Sequence, residues 1–232
     1  MAKKQKAYSS PEGLRYASSA AFSAAALAWI VNFLWQLMLV LLNVSGVLSL
    51  ILNIVGYGIL LFAAIQCYNA YEREIQADAI QHEKIDGSLR TQKILVLVST
   101  IVRIVLTIAA IILNIVFSSI RVSPAYRQMD AIINILAGAF TVVNVVGIFA
   151  YKTYIREGAG RNMRIWSLTA VLSVLVHFFA TEIRYILILG HPNGTYNVLL
   201  HAIRISAIVS YIAIFMMFET RKQLYKPENA SR

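Results

Sequence analysis

Long apolar segments that carry almost no charge are the feature that most constrains how this chain folds. The first runs from about residue 20 to residue 68, with one short polar break at residues 43–46. About 20 consecutive apolar residues span the hydrocarbon core of a bilayer as a helix. Continuous apolar runs without strict alternation favour helices over a membrane barrel. The sequence therefore predicts an all-α integral membrane protein.

Polar breaks divide the apolar segments into six predicted spans. A basic segment, 1–19, precedes them and a polar tail, 219–232, follows. The spans are 20–42, 47–68, 94–120, 129–151, 165–189 and 197–218, and a charged loop, 72–93, is predicted between the second and the third. Of the residues, 59% are hydrophobic and 14% are charged, whereas soluble domains carry about 25% charged residues. This composition, with a single cysteine, excludes a soluble enzyme domain and a disulfide-rich secreted module.

The basic residues predict the orientation of the chain. With the N-terminus inside, sixteen of the 21 Lys and Arg residues fall in inner segments, while Arg121 and Arg127 fall in outer ones. Cytoplasmic loops are rich in Lys and Arg, so both termini are predicted to be cytoplasmic. The net charge of +10 indicates attraction to anionic inner-leaflet lipids rather than to nucleic acid.

An internal repeat of three helical hairpins is one interpretation of the flanking sequences. A glycine and an arginine precede each odd-numbered span, and the arginines Arg15, Arg90 and Arg164 lie about 75 residues apart. The alternative is that interfacial aromatic residues and basic inner flanks make any three hairpins look alike.

Ionisable residues inside spans are the candidates for function, because each is costly to keep in lipid. Most belong to the last two predicted spans, and with one neighbouring tyrosine they form a cluster in the outer half of that hairpin. The cluster comprises His177, Glu182, Arg184, Tyr185, His201 and Arg204. Two arginines against one carboxylate make it net positive and suited to a small anionic solute.

A Glu182–Arg204 ion pair is expected because the two residues lie at similar depth across a short loop. The cluster is then either a ligand site or a structural lock between helices. His177 and His201 differ in depth by roughly 14 Å, which argues against a shared haem.

Arg103 lies alone in the third predicted span. We expect it to face the bundle, held by Gln66 or Asn144, because an arginine facing lipid is costly. The alternative is that its head group extends to the inner interface. Other polar residues of spans one to four, including Asn32, Gln36 and Asn53, are interpreted chiefly as interhelical hydrogen-bonding groups.

Three function classes remain open. The first is a small transporter, channel or ligand-binding bundle; the second is a non-catalytic accessory or scaffold subunit, with membrane-protein partners or as a homo-oligomer. An intramembrane enzyme is the third and weakest, because catalytic motifs such as HExxH, GxSxG and the P-loop are absent from the sequence. No catalytic residue, metal ligand or cofactor is predicted.

Overall fold

The structure is a computed structural model of the full chain, and it describes residues 10–42, 46–81, 87–116, 124–139, 149–150, 152 and 160–226. These residues are helical apart from short connections and include no strand. The labelled helices are α1 (Pro11–Leu41), α2 (Gly46–Ile80), α3 (Gly87–Val116), α4 (Pro124–Ala139), α5 (Arg161–Gly190) and α6 (Asn197–Leu224). Five of them, all except α4, contain stretches long and apolar enough to cross a membrane. The chain is therefore consistent with a polytopic membrane protein.

The helices pack as a closed ring in chain order. Each of α1 to α5 contacts the next helix along the chain, and α6 closes the ring against α1. Both α1 and α2, which contact each other, carry fully buried small side chains, namely Ala25 and Ala26 of α1 and Ala63 and Ala64 of α2. Close approach of helix backbones at small residues is typical of membrane bundles, because lipid supplies no hydrophobic drive for association.

One end of the ring, which we call the base, holds the start of α1 and the end of α6. Arg15 of α1 and Arg221 of α6 both pair there with carboxylates near the end of α2. Lys93, near the start of α3, pairs with Glu72 of α2 at the same end. The base therefore gathers helix ends from both halves of the chain.

The opposite end contains the α5–α6 connection. The start of α4 docks there, because Arg127 donates a hydrogen bond to the Pro192 carbonyl and Gln128 Nε2 donates one to the Leu189 carbonyl at 2.9 Å. Phe149, farther along the chain, stacks on Phe22 in the base half of the ring, with ring centroids 4.9 Å apart.

The helices extend beyond the predicted spans at the base. Helix α1 begins at Pro11, where the Ser10 side chain accepts a hydrogen bond from the Gly13 amide at 3.1 Å and caps the first turn. Helix α2 continues to Ile80, although the sequence predicted a charged loop from residue 72. The added turns of α2 bury Tyr71, Glu74 and Asp78 against neighbouring helices. These extensions position the charged groups of the base.

Candidate functional site

A cavity of about 320 Å³ lies inside the ring, in the half away from the base. Helices α1, α2, α3, α5 and α6 all contribute to its wall. The lining residues are Asn32, Gln36, Asn53, Tyr57, Leu60, Arg103, Thr107, His177, Thr181, Arg184, Tyr185, Leu200 and Ile203. This volume is in the range of small-molecule sites, which are concave and carry a few placed polar groups.

One side of the cavity, formed by α3 and α5, is cationic. Arg103 and Arg184 both line it, and no aspartate or glutamate is among the described lining residues. The Arg184 guanidinium lies 5.0 Å from the centre of the Tyr185 ring. The buried Nε of Arg184 has no hydrogen-bond partner within the described part of the chain. A buried donor without a partner is costly, so this atom points to an acceptor supplied from elsewhere.

His177 adds an imidazole group to the cationic side of the cavity. Its Nδ1 lies 3.1 Å from the carbonyl oxygen of Ile203, and a carbonyl oxygen only accepts, so Nδ1 carries the hydrogen. Nε2 is then the atom left for a ligand or a second proton. The hydroxyl groups of Thr107 and Thr181 donate to carbonyls of their own helices at 2.7 Å, which leaves their oxygen lone pairs as weak acceptors.

The other side, formed by α1 and α2, is polar and uncharged. Gln36 Nε2 donates to Asn53 Oδ1 across the two helices at 2.9 Å, which is the interhelical role expected for these amides. Asn32 Oδ1 and the Tyr57 hydroxyl are buried and have no hydrogen-bond partner among the described residues. The cavity thus carries unpaired polar atoms on both of its sides.

Gly56 allows α2 to approach the uncharged side closely. A Cβ atom at this position would lie 2.8 Å from Gln36 Nε2 and 3.0 Å from Asn32 Oδ1. Since these are below ordinary contact distances, any side chain here would displace the two amides. From the sequence, the segment Gly56-Tyr57-Gly58 indicates close helix packing, and the structure shows a close approach at Gly56 and none at Gly58.

The predicted cluster is divided by the structure. The cavity brings Arg103, His177, Arg184 and Tyr185 together, and three of these come from α5 while Arg103 comes from α3. The sequence linked Arg103 to none of the others, because helix packing order was not known. Arg103 lies in the cavity wall. Gln66, one expected partner, does not line the cavity, and Asn144 lies outside the described residues.

Glu182, His201 and Arg204 do not line the cavity. The expectation of a Glu182–Arg204 ion pair is wrong for the described structure. Glu182 Oε1 has no hydrogen-bond partner there. The physical reason is helical phase: Leu200 and Ile203 face the cavity, and each of His201 and Arg204 follows one residue later, about 100° round the helix. Equal depth in the membrane does not determine which way a side chain faces.

A second polar cluster lies at the base and was not predicted. Arg221 binds Glu74 through two hydrogen bonds of 2.6 and 3.1 Å, and both side chains are at most 2% exposed. Arg221 Nη1 also lies 3.2 Å from the Ser19 hydroxyl. Beside this pair, Arg15 Nη2 lies 3.3 Å from Asp78 Oδ1. We call these five residues the base network.

The base network was missed because its residues were assigned to cytoplasmic loops and flanks. Helical spacing was the available signal: Tyr71, Glu74 and Asp78 are separated by three and four residues, so they share one face of a helix. The same face is apolar in the preceding turns of the helix. This continuity indicates that α2 extends beyond its first charged residues.

The described residues contain no group of three or more His, Cys, Asp or Glu side chains that is arranged to hold a metal ion. The chemistry within reach of the cavity is therefore that of guanidinium, imidazole, amide and phenol groups. Together they can bind an anion by charge-assisted hydrogen bonds and hold its uncharged part by amides. Comparisons of the chain with protein-family models, with curated proteins and with solved structures found no match.

Proposed function

We propose that this chain is a six-span membrane protein that binds a small anionic solute in the ring cavity and carries it across the bilayer. The observation that supports this most directly is the cavity itself, which is lined by two arginines and no described carboxylate. Two positive charges that face the same cavity inside an apolar bundle are costly unless an anion compensates them.

The six-span proposal is supported by the contacts at the two ends of the ring. Arg127 contacts the end away from the base, whereas Phe149 packs in the base half. About 22 residues separate them, a length of about 33 Å if helical, which matches one crossing of a bilayer core. The fourth predicted span, 129–151, is described only in part, at its beginning and its end.

We propose that both termini are cytoplasmic, because the basic flanking segments would then lie at the base, on the cytoplasmic side. The base would then face anionic inner-leaflet lipids, and the cavity would lie toward the outer side. The hairpin repeat is compatible with a ring of six helices, since three hairpins side by side close such a ring.

Thermal melting of the purified chain in detergent tests anion binding. Sodium chloride, phosphate, acetate or succinate is added, and a shift in the melting temperature reports binding. Arg103→Gln and Arg184→Gln each remove a charged donor, typically worth about 1.5–3 kcal/mol, so we expect affinity for the best anion to fall about tenfold or more. Arg204→Gln is the matched control, because Arg204 lies at similar depth and does not line the cavity.

Equal affinity of all three variants and the wild type would refute the cavity as an anion site. Anion binding without flux of that anion in proteoliposomes would instead favour a ligand-binding bundle. If no anion binds and the chain copurifies with a membrane partner, the accessory-subunit alternative is favoured.

A further inference from the structure

Three layers follow one another along the ring from the cavity to the base, and a packed apolar core that includes Trp29, Cys67 and Ile214 separates the first layer from the second. On α1 the order is Asn32 in the cavity wall, then Phe22, then Ser19 in the base network. On α2 the order is Tyr57, then Tyr71, then Glu74, and on α6 it is Ile203, then Phe218, then Arg221. Because three helices show the same order, each layer is built from several helices of the ring.

The middle layer is a packed group of four aromatic rings, which we call the aromatic layer. Phe22 stacks on Phe218 and on Phe149, with centroid distances of 4.3 and 4.9 Å. Tyr71 meets Phe22 and Phe149 edge-on at 5.1 and 5.4 Å. Phe22, Tyr71 and Phe218 have no exposed surface. The aromatic layer therefore closes the interior of the ring at the base end of the packed apolar core.

The base network lies behind the aromatic layer. It joins α1, α2 and α6, because Arg221 of α6 binds Glu74 of α2 and lies within 3.2 Å of Ser19 of α1. The Arg221 guanidinium also lies 5.9 Å from the centre of the Phe149 ring, so the two layers are in contact.

A buried ion pair is an unusual way to close a bundle, since apolar side chains of similar volume are often equally or more stabilising. A contact between apolar side chains and an ion pair behave differently when the helices separate. Parted apolar surfaces are exposed to water at a cost, whereas parted charges regain hydration. An ion pair therefore suits a contact that must break and form again.

We propose that the aromatic layer and the base network, together with the apolar core that separates them from the cavity, form a gate that closes the cavity from the base and opens to release its solute there. The proposal rests on the proposed function, because only a solute that crosses the ring needs this exit. The bound pair Glu74–Arg221 holds the gate shut, and its separation opens a path between α2 and α6.

Cys67 provides a probe for the gate, because it is the single cysteine of the chain and has no exposed surface. It lies on α2 one helical turn from Tyr71, on the cavity side of the aromatic layer. A membrane-impermeant maleimide applied from the base side of vesicles should label wild-type Cys67 slowly. In Glu74→Ala and Arg221→Ala we expect labelling about tenfold faster, because loss of the pair favours the open state.

The exchanged pair, Glu74→Arg with Arg221→Glu, should restore slow labelling. Lys93→Ala is the matched control, since the Lys93–Glu72 pair lies at the same end but is 22% and 38% exposed; its labelling should equal that of the wild type. If the alanine variants do not yield folded protein, Glu74→Gln, which keeps the shape and removes the charge, decides the question. Slow labelling in a folded variant that lacks the pair would overturn the gate.

Failure of the gate and failure of the proposed function give different results. The labelling assay needs no solute, whereas anion binding to the cavity is measured by thermal melting. Protected Cys67 in the variants together with anion binding would remove the gate and leave the binding site. Fast labelling in the variants without any anion binding would leave a gated interior and remove the anion proposal.

Discussion

At the scale of single residues, the sequence selected groups that are costly in an apolar segment, but it did not show which of them would lie together. Arg103, His177 and Arg184 were selected because charged and polar groups in apolar segments are costly, and all three line the cavity. Arg204 was selected for the same reason and lies outside it. The deciding quantity is the rotation of each helix about its axis, which depends on packing partners distant in sequence.

Gly56 is a residue whose importance depends on such packing. We expect Gly56→Ala to lower the melting temperature, because its Cβ would displace the flexible ends of Gln36 and Asn32, which lie 2.8–3.0 Å away, and would disturb the hydrogen bond from Gln36 to Asn53, a contact worth about 0.5–1.5 kcal/mol. Gly58→Ala is the control, since a Cβ at Gly58 meets nothing within 4 Å. Thermal melting of both variants in the same detergent checks the difference. Equal melting temperatures would contradict the close approach of α1 and α2.

At the scale of helices, the positions of five apolar segments were predictable because hydropathy depends on sequence alone, whereas the predicted span 129–151 is described only in part. The helix ends were not predictable. The sequence placed the end of the second span at residue 68, where hydropathy falls, but α2 continues to Ile80. Its last turns are held by pairs with α1 and α6 rather than by lipid, and those partners, Arg15 and Arg221, are remote in sequence.

The extension of α2 is tested by a proline at an exposed position within it. Gln76 is exposed, so Gln76→Ala should have little effect. Gln76→Pro should cost about 3 kcal/mol or more, because proline removes a helical hydrogen bond and clashes with the preceding turn. The measurement is again thermal melting, with Cys67 labelling as a second readout of damage at the base. A charged loop from residue 72 would tolerate the proline, so an unchanged melting temperature would exclude the helical extension.

At the scale of the whole molecule, the ring order of the helices explains why site and gate share one interior. Helices α1 and α6, at the two ends of the chain, close the ring against each other, and this contact includes the Phe22–Phe218 stack of the aromatic layer and the Ser19–Arg221 contact of the base network. A sequence pattern does not reveal such a contact. The short connections between neighbouring helices predict the other contacts of the ring.

The sidedness of the ring is tested with single cysteines at its two ends, introduced after Cys67→Ser. Arg161→Cys and Asn193→Cys place an exposed thiol at the start of α5 and in the α5–α6 connection. We expect an impermeant maleimide added to intact cells to label position 193 and not position 161, because basic flanks are retained on the cytoplasmic side. Permeabilised cells should label both and serve as the control for thiol reactivity. Labelling of both positions in intact cells would show that α5 does not cross the membrane, and labelling of position 161 alone would invert the ring. In the inverted case the cavity would face the cytoplasm, and the gate at the base would control exchange with the outside.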